Sequence, residues 1–343
     1  MSQGTSFPNV SVAMATYNGA SYLRDQLYSI AAQTLQPAEL VVSDDGSTDD
    51  TLAIIRAFAE TASFPVRIIN KTARLGFSDN FLFAVEHCRS PLVAFVDQDD
   101  AWVSEKLAIG VSRLVADDSL LSMHQLTMTD GGLQPTGLWD QGITRDYVWN
   151  PLELDPWAGW GNTMVFRRDL ANLIPRSQRP RHPEANRPLS HDTWLYILAA
   201  AMGRVSHIAQ PLILYRQHGK NACGMARPSM LMRWKTLSTV PVESYRERDI
   251  FFDALAELFD ELGTRSTGAT SQHAFDAAKR YRERRDRFSH RIRIHTAPGV
   301  VARLTAWYRL HRHVTSSSTG QNDRLQSAVK DMVLGVSGLG RHV

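Results

Sequence analysis

The feature that most constrains the fold is an alternation of short apolar runs with amphipathic stretches over the first 118 residues. Apolar runs at residues 10–15, 40–43, 66–69 and 92–96 each precede a stretch whose apolar residues recur at helical spacing. Strands that alternate with helices at these lengths predict βαβ units and a parallel sheet. Because βαβ crossovers are right-handed, the carboxyl ends of these strands should lie along one edge of the sheet.

A cluster of aspartates follows the fourth apolar run. Residues 92–96 are all apolar, and the next four residues include Asp97, Asp99 and Asp100. Continuous hydrophobicity predicts a strand that is buried on both faces. Carboxylates this close repel one another unless they share a proton or a cation, and oxygen ligands suit Mg²⁺ or Mn²⁺. The alternative is a solvated acidic turn that caps the next helix, with Ser104 as its N-cap.

The other predicted strands also end in polar side chains. These are Tyr17 and Asn18 after the first strand, Asp44 and Asp45 after the second, and Asn70 after the third. Ligands of open α/β sheets bind at the carboxyl ends of the strands, so the coincidence favours a ligand site. Each loop also has an interpretation as helix capping, and Ser47 with Asp50 has the spacing of a capping box.

Two further candidates lie in the middle of the chain. Trp160 belongs to a loop-rich aromatic stretch, where it would either stack on a sugar or pack beneath the loops. Ser190 is a natural N-cap for an apolar helix through residue 201. Asp192 is therefore either a functional carboxylate or a first-turn residue that favours the helix dipole.

A cationic motif follows the last predicted strand of this region. His218 stands two residues after Arg216 and two before Lys220, directly beyond the apolar residues 212–214. A histidine alone is more often structural than a ligand. Beside two cations, it is a better candidate for binding phosphate or a metal.

The last third of the chain is basic and helical. Residues 279–293 contain eight Lys or Arg residues, and residues 300–310 mix aromatic and apolar side chains with arginine. This combination suits an anionic membrane surface, with a solvated helical face or an oligomer contact as alternatives. Nucleic-acid binding has no motif behind it. We expect an α/β domain over residues 1–224 and a helical, basic region over residues 225–343.

The cysteine content and the hydrophobic pattern indicate in which cellular compartment the protein works. The two cysteines indicate no disulfide framework and fit a reducing environment. The first nine residues lack the pattern of a signal peptide, and no apolar run approaches the roughly 20 residues needed to span a bilayer. We therefore expect a cytoplasmic protein, either free or at the inner face of the cell membrane.

Several of these segments together resemble glycosyltransferase family 2. They are residues 11–18 (SVAMATYN), 42–49 (VSDDGSTD) and 95–100 (FVDQDD). His191 and Asp192 with residues 215–221 (YRQHGKN) are similar to the subset that contains bacterial rhamnosyltransferases and related polysaccharide and lipopolysaccharide enzymes. The resemblance implies a GT-A fold, a mainly parallel sheet flanked by helices, and transfer of a sugar from a nucleotide donor with inversion.

The resemblance also implies roles for individual residues. Tyr17 would stack on the donor base beside Thr16 and Asn18, while Asp45 accepts a hydrogen bond from a pyrimidine and Asp44 supports the loop. The metal, Mn²⁺ or Mg²⁺, would be held by Asp97, Asp99 and His218, with Asp97 alternatively binding the ribose. Arg216 or Lys220 would neutralise the departing diphosphate. Asp100, Trp160 and His191 would contact the sugar or acceptor, and Asp192 would be the general base.

The expected function is therefore transfer of a sugar to a hydroxyl of a glycan or lipid-linked acceptor during surface polysaccharide synthesis. The donor would be dTDP-rhamnose or a UDP-sugar. A sugar nucleotidyltransferase is one alternative, but its Gly-rich, basic loop is replaced here by residues 16–20. A nucleotide-sugar-binding scaffold without catalysis is another, and the joint presence of Asp99, Asp192 and His218 argues against it. A homo-oligomer is compatible with the sequence.

Overall fold

A computed structural model describes residues 7–69, 73–139, 141–150, 159–183, 185, 187–219, 242–311 and 331–336. The chain divides into two compact units, one of residues 1–179 with 189–222 and one of residues 180–188 with 223–343. Residue 224, where the sequence suggested a domain boundary, lies outside the described residues, so that boundary stays a prediction.

The first unit holds ten strands and five α-helices among its described residues. The strands are β1 Val10–Thr16, β2 Glu39–Asp44, β3 Val66–Ile69, β4 Leu92–Val96, β5 Ala101–Trp102, β6 Leu121–Thr129, β7 Pro135–Trp139, β8 Tyr147–Trp149, β9 Val165–Arg167 and β10 Val205–Arg216. The helices are α1 Leu23–Ala31, α2 Thr51–Ala59, α3 Phe77–Glu86, α4 Lys106–Ala116 and α5 His191–Met202.

One mixed sheet runs through this unit in the order β3-β2-β1-β4-β9-β6-β10-β5. β1, β2, β3 and β4 pair in parallel, as the βαβ pattern predicted, and β6 pairs in parallel with β10. β9 joins the two parallel sections by pairing antiparallel with both β4 and β6. The mainly parallel α/β fold predicted from the sequence is confirmed. β10 is a long strand whose register with β6 shifts near Pro211.

Burial explains why the central strands have no polar face. Every residue of β1 and β4 is buried, which confirms that the run over residues 92–96 is covered on both sides. Helix α3 packs on β1 and β2, and α4 packs on β6, β9 and β10. The register pairs Thr16 with Asp44 and Met14 with Val96, so the residues after β1, β2 and β4 emerge at one edge.

A short antiparallel pairing brings the end of β10 to the same edge. β5 pairs with β10 so that Ala101 lies opposite Leu214 and Trp102 opposite Ile213. Continuing this register by two residues brings Arg216 opposite Asp99. The acidic turn after β4 and the cationic motif after β10 are therefore neighbours.

The second unit is helical in its described residues. Its helices are α6 Val242–Arg265, α7 Gly268–Thr296 and α8 Val300–His311, followed by a π-helical turn at Asp331–Val336. Helices α6 and α7 pack against each other, and aromatic rings such as Phe252 and Phe288 stack between them at 5.5 Å. Within the part of the chain that the structure describes, no helix has the length and hydrophobicity to cross a membrane.

Much of the basic charge of α7 is matched within this unit. Arg285 pairs with Asp253 of α6, Arg282 pairs with Asp260 of α6, and Arg291 pairs with the buried Asp331. The arginine-rich stretch therefore joins α7 to its neighbours, which the sequence alone did not indicate.

Candidate active site

Three aspartates crowd the turn that follows β4. Asp97 and Asp99 are half-buried, and Asp100 is fully buried. Burial raises the pKa of Asp97 well above its ordinary value, and the charges of Asp100, Asp99 and Asp192 raise it further. Because each carboxylate disfavours ionisation of its neighbours, the turn would gain stability from a bound cation.

Asp99 and His218 form the open part of this cluster. The Nε2 atom of His218 lies 2.9 Å from Oδ2 of Asp99, and the Tyr22 ring stacks on the imidazole at a centroid distance of 4.5 Å. A carboxylate oxygen and an imidazole nitrogen suit Mn²⁺, and Mg²⁺ or Mn²⁺ commonly completes its shell with water and substrate phosphates. The donor pair therefore fits the implied metal. No group of three or more such side chains is arranged to hold a metal within the described ranges.

Asp100 supports the turn from behind. Its Oδ2 accepts a hydrogen bond from Nδ2 of Asn162 at 2.7 Å, and its Oδ1 accepts one from the backbone N–H of Arg216 at 3.0 Å. Burial and the charge of Asp99 raise the pKa of Asp100 to about 7, although both hydrogen bonds oppose the rise. These contacts join the ends of β4 and β10. They give Asp100 a structural role, and its contact with the sugar or acceptor stays a prediction.

Lys106 lies beneath the same cluster. Its side chain is fully buried, its ammonium lies 4.1 Å from the centre of the Trp102 ring, and burial lowers its pKa to about 7. The charges of Asp100 and Asp97 act in the opposite direction. Lys106 is thus a buried counter-charge to the carboxylates, on the side away from solvent.

Arg216 is committed to the protein. Its Nε donates to the carbonyl of Asp99 at 2.8 Å, Nη1 donates to the carbonyl of Gly131 at 2.6 Å, and Nη2 donates to Asp25 at 2.6 Å. The residue is only 3% exposed, so its guanidinium fixes the turn from within. A direct contact between Arg216 and a diphosphate would require these bonds to open. Lys220 and Asn70, the other predicted contributors to this edge, lie outside the described residues.

Tyr17 is the exposed aromatic ring of the donor-side loops. Its ring is 41% exposed, and the guanidinium carbon of Arg74 lies 3.9 Å from its centre. The backbone N–H of Tyr17 donates to Oε1 of Gln98 at 3.0 Å, and Nε2 of Gln98 donates back to the Tyr17 carbonyl at 3.1 Å. Gln98 thus extends the pairing of β1 with β4 by one side chain and fixes the backbone of Tyr17.

The neighbouring loop residues mainly bind one another. Asp44 accepts hydrogen bonds from the Thr16 hydroxyl at 2.8 Å and from the backbone N–H of Ser47 at 2.8 Å. Asn18 adopts a left-handed backbone conformation with φ of 48°, and its side chain accepts from the N–H of Thr48 at 2.8 Å. These bonds hold the loops after β1 and β2 together as one surface.

Asp45 connects that surface to the start of α3. Its two carboxylate oxygens accept the backbone N–H groups of Leu75 and Gly76 at 2.7 and 2.8 Å. Nε of Arg74 lies 3.4 Å from the same carboxylate. Asp45 and Tyr17 are therefore linked through Arg74, which places a cation between the two residues predicted to recognise the base.

Asp192 lies in the first turn of α5. Its Oδ1 accepts the Ser190 hydroxyl and the backbone N–H of Thr193 at 2.7 Å, and its Oδ2 accepts the N–H of Gly161 at 3.3 Å. Its charge is among those that raise the pKa of Asp97, so the two carboxylates are electrostatic neighbours. The helix start holds Asp192 in a defined orientation beside the cluster.

His191 and Trp160 are the two other residues predicted to contact the sugar or acceptor on this side of the site. His191 is buried, stacks on Phe81 at 4.2 Å, and has its pKa lowered to about 4 by burial. Its surroundings are those of a packed core residue, and its contact with the sugar or acceptor stays a prediction. Trp160 is half-buried, with Trp139 at 6.1 Å and Tyr215 at 6.3 Å. It stays a candidate for stacking on a sugar.

Four residues of this site were missed from the sequence. They are Arg74, Gln98, Lys106 and Asn162. Gln98 stands inside the acidic motif, so its position alone was a usable signal. The other three are brought to the site by tertiary contacts, and nothing in their local sequence distinguishes them from surface residues.

Comparison with known proteins identifies the family. The glycosyl transferase family 2 profile matches residues 11–210. An uncharacterized glycosyltransferase of Nostoc sp. is 27% identical over 219 residues, 62% of this chain and 66% of that protein. The dTDP-rhamnosyl transferase RfbG of Shigella flexneri is 28% identical over 241 residues, 68% of this chain and 81% of that protein.

Solved structures show the same fold. The crystal structure of S. aureus TarS 1–349 aligns with a TM-score of 0.53 at 16% identity and covers 96% of this chain and 81% of that one. Its complex with UDP-GlcNAc aligns with a TM-score of 0.52. The family profile covers more than half of the chain. The chain is a glycosyltransferase of family 2.

Proposed function

We propose that this glycosyltransferase is metal-dependent and inverting, and that it moves a sugar from a nucleoside-diphosphate donor to a hydroxyl of a glycan or lipid-linked acceptor in surface polysaccharide synthesis. The observation that carries the proposal is the Asp99–His218 pair at 2.9 Å, in a carboxylate cluster that also includes the electrostatic neighbour Asp192. The proposed donor-side cation site and the proposed acceptor-side base therefore belong to one cluster.

The donor is a pyrimidine sugar nucleotide, with dTDP-rhamnose preferred over a UDP-sugar. Tyr17 offers an exposed ring for stacking, and Arg74 and Asp45 offer a cation and a carboxylate beside it. One relative is a dTDP-rhamnosyl transferase, and another, from Escherichia coli, is a UDP-Glc-dependent glucosyltransferase that acts on a diphosphoundecaprenol-linked sugar. The relatives therefore support both bases and a lipid-linked acceptor.

Asp99 and His218 would hold the metal, with Asp97 as a further carboxylate. When bound, the ion supplies positive charge to the departing diphosphate. Asp100 and Arg216 keep the turns after β4 and β10 joined, so that Asp99 and His218 face the same space. Lys220 is the cation proposed to contact the diphosphate, because Arg216 is already engaged by protein oxygens.

Asp192 is the proposed general base. An inverting transfer needs a carboxylate that takes the proton of the acceptor hydroxyl on the face opposite the leaving group. Ser190, Thr193 and Gly161 fix the orientation of this carboxylate by donating hydrogen bonds to it. Asp97 and Asp99 are poorer bases, since a cation would occupy their lone pairs. Asp100 is fully buried, and both of its oxygens already accept hydrogen bonds from Asn162 and Arg216.

The metal proposal is tested by calorimetry of UDP and dTDP binding in the presence of Mn²⁺ or EDTA. We expect wild-type affinity to fall at least tenfold in EDTA, and Asp99→Asn to bind the nucleotide equally weakly in both. Asp118→Asn is the matched control. Asp118 is an exposed aspartate of the same unit in a left-handed conformation that asparagine adopts readily, so this variant should keep the metal effect.

The outcomes separate the parts of the proposal. Equal wild-type affinity with Mn²⁺ and EDTA would contradict metal dependence without affecting family membership. A panel of sugar nucleotides then identifies the donor by product formation, and the anomeric configuration of the product by NMR tests inversion. Retention of configuration would contradict the base role of Asp192.

A further inference from the structure

One side of α8 presents an apolar stripe to solvent. The exposed side chains and their exposed fractions are Val300 52%, Val301 79%, Leu304 41% and Tyr308 63%. At 100° per residue, these four positions fall within an arc of about 100° on the helix. Single exposed apolar residues are ordinary on protein surfaces, but a contiguous helical stripe marks an interaction site.

The other side of α8 already has its packing partners. Ala306 is buried against Ile294 of α7 and Val336, with Trp307 and Leu310 completing the cluster. Arg303 is also buried, and its Nε donates to the carbonyl of Gly299. The helix is thus fixed in its own unit by one face, and the exposed stripe is not needed to form that core.

The chain segment that carries the stripe is rich in arginine. Residues 287–311 contain five arginines and no aspartate or glutamate, but Arg291 pairs with the buried Asp331 and Arg303 is itself buried. Arg293 at the end of α7 and Arg309 beside Tyr308 are exposed. This differs from the earlier part of α7, where Arg282 and Arg285 pair with acids of α6. The exposed arginines of this segment, of which Arg309 lies on α8 itself, provide the charge complementarity with an anionic surface.

We propose that this stripe docks on an anionic phospholipid bilayer, with Val301, Leu304 and Tyr308 entering the boundary between headgroups and acyl chains. Apolar side chains beside arginines, on a helix that lies in the plane of the interface, have the chemistry of peripheral membrane binding. Tyr308 adds a ring with a polar tip, which suits this depth. A protein partner is less favoured, since specific protein interfaces commonly use about 20–30 residues a side.

This proposal goes beyond the proposed function, because membrane docking would hold with any donor. It differs from the sequence-based expectation by assigning the contact to one face of α8. The paired arginines of α7 do not take part. A lipid-linked acceptor would then be met at the surface where the enzyme already lies.

The test is flotation of the full chain with vesicles of phosphatidylcholine containing about 30% phosphatidylglycerol, against vesicles of phosphatidylcholine alone. We expect recovery with the anionic vesicles only, and loss of most binding at high salt because the arginine attraction is screened. The double variant Val301→Asp with Leu304→Asp should lower partitioning at least tenfold. Its nucleotide affinity and its helix content by circular dichroism should match wild type, which shows that both units are folded.

Two controls isolate the stripe. Ala302→Asp introduces an acid in the same turn of α8, on an exposed position outside the arc, and should lower partitioning much less than the double variant. Ile250→Asp replaces an apolar residue of α6 that is 69% exposed, and should behave as wild type.

Three results would overturn the proposal. Unchanged partitioning of the double variant would show that the stripe does not bind the membrane. An equal loss of partitioning with Ala302→Asp would show that the effect comes from added negative charge and not from the apolar stripe. The third result comes from sedimentation of the same samples. If the wild type is a dimer, and the double variant is a monomer with unchanged vesicle binding, the stripe binds a second copy of the chain.

Discussion

Asp192→Asn is the substitution that best separates catalysis from structure in this enzyme. The side chain keeps its shape and its Oδ1, which accepts from Ser190 and from Thr193 at 2.7 Å. Only the longer bond from Gly161 to Oδ2, at 3.3 Å, is replaced by a contact between two donors. We expect a loss in the free energy of unfolding of about 1 kcal/mol, which corresponds to a Tm lower by a few degrees.

The expected kinetic effect is much larger. Without a carboxylate to accept the hydroxyl proton, turnover should fall at least ~10²-fold, equivalent to about 2.7 kcal/mol in the activation free energy. Nucleotide affinity should stay within about threefold of wild type, because lost transition-state stabilisation leaves ground-state binding unchanged. Turnover is measured by release of the nucleoside diphosphate and affinity by calorimetry on the same preparation.

The variant also makes an electrostatic prediction. The charge of Asp192 raises the pKa of Asp97, so its removal should lower that pKa. Metal-dependent nucleotide binding should therefore persist to lower pH in Asp192→Asn than in wild type, because Asp97 loses its proton more readily. Calorimetry at a series of pH values checks the direction of this shift.

Ser190→Ala is the matched control. It removes a hydroxyl that donates to Asp192 but leaves the carboxylate, so it should lower stability by about 1 kcal/mol while retaining most turnover. Near-normal turnover of a folded Asp192→Asn would refute the assignment and place the base elsewhere. If Ser190→Ala loses as much turnover as Asp192→Asn, the loss in both variants would come from a change in the orientation of the helix start.

Two further substitutions test the loops and the core. In Gly19→Ala, the new Cβ would lie 2.2 Å from Oε1 of Gln98, so the Gln98 side chain should move and lose its hydrogen bonds to the backbone of Tyr17. We expect nucleotide affinity to fall several-fold, with a loss in the free energy of unfolding of about 1–2 kcal/mol. Unchanged affinity would mean that Gln98 does not position the Tyr17 ring. His207 is buried against Tyr147, and burial lowers its pKa to about 4, below the ~6.5 of an unfolded chain. The unfolded chain therefore binds the proton first as pH falls from about 6.5 to 4, which removes up to about 3 kcal/mol of stability. His207→Phe should flatten this part of the pH dependence in thermal melts, and an unchanged slope would contradict the neutral, buried state of His207.

The sequence by itself determined those strands and helices whose apolar pattern is visible within a short window. The alternation of apolar runs with helical spacing is visible in short windows, and it indicated β1 to β4 and the edge at which they end. The position of Asp99 after a buried strand followed from the same pattern. The sequence also indicated a helical, basic region over residues 225–343, but not the bounds of α6, α7 and α8 within it.

Only the tertiary structure decided which of these residues meet. Asp99 and His218 are 119 residues apart, and the short β5–β10 pairing sets their distance. Ser47, which the sequence suggested as a helix cap, instead donates to Asp44 at 2.5 Å, and α2 begins at Thr51. Pairings of this kind depend on strand register and long-range packing, which no local pattern encodes.

Charge was the least predictable property from sequence. Arg216 and the arginines of α7 had the composition of binding residues, yet protein oxygens occupy them, because buried or paired guanidinium groups stabilise the turns and helices that hold them. The stripe on α8 remains exposed because only the opposite face of that helix packs against its own unit. Composition counts the charges and apolar groups of a chain, and the fold decides which of them are satisfied internally.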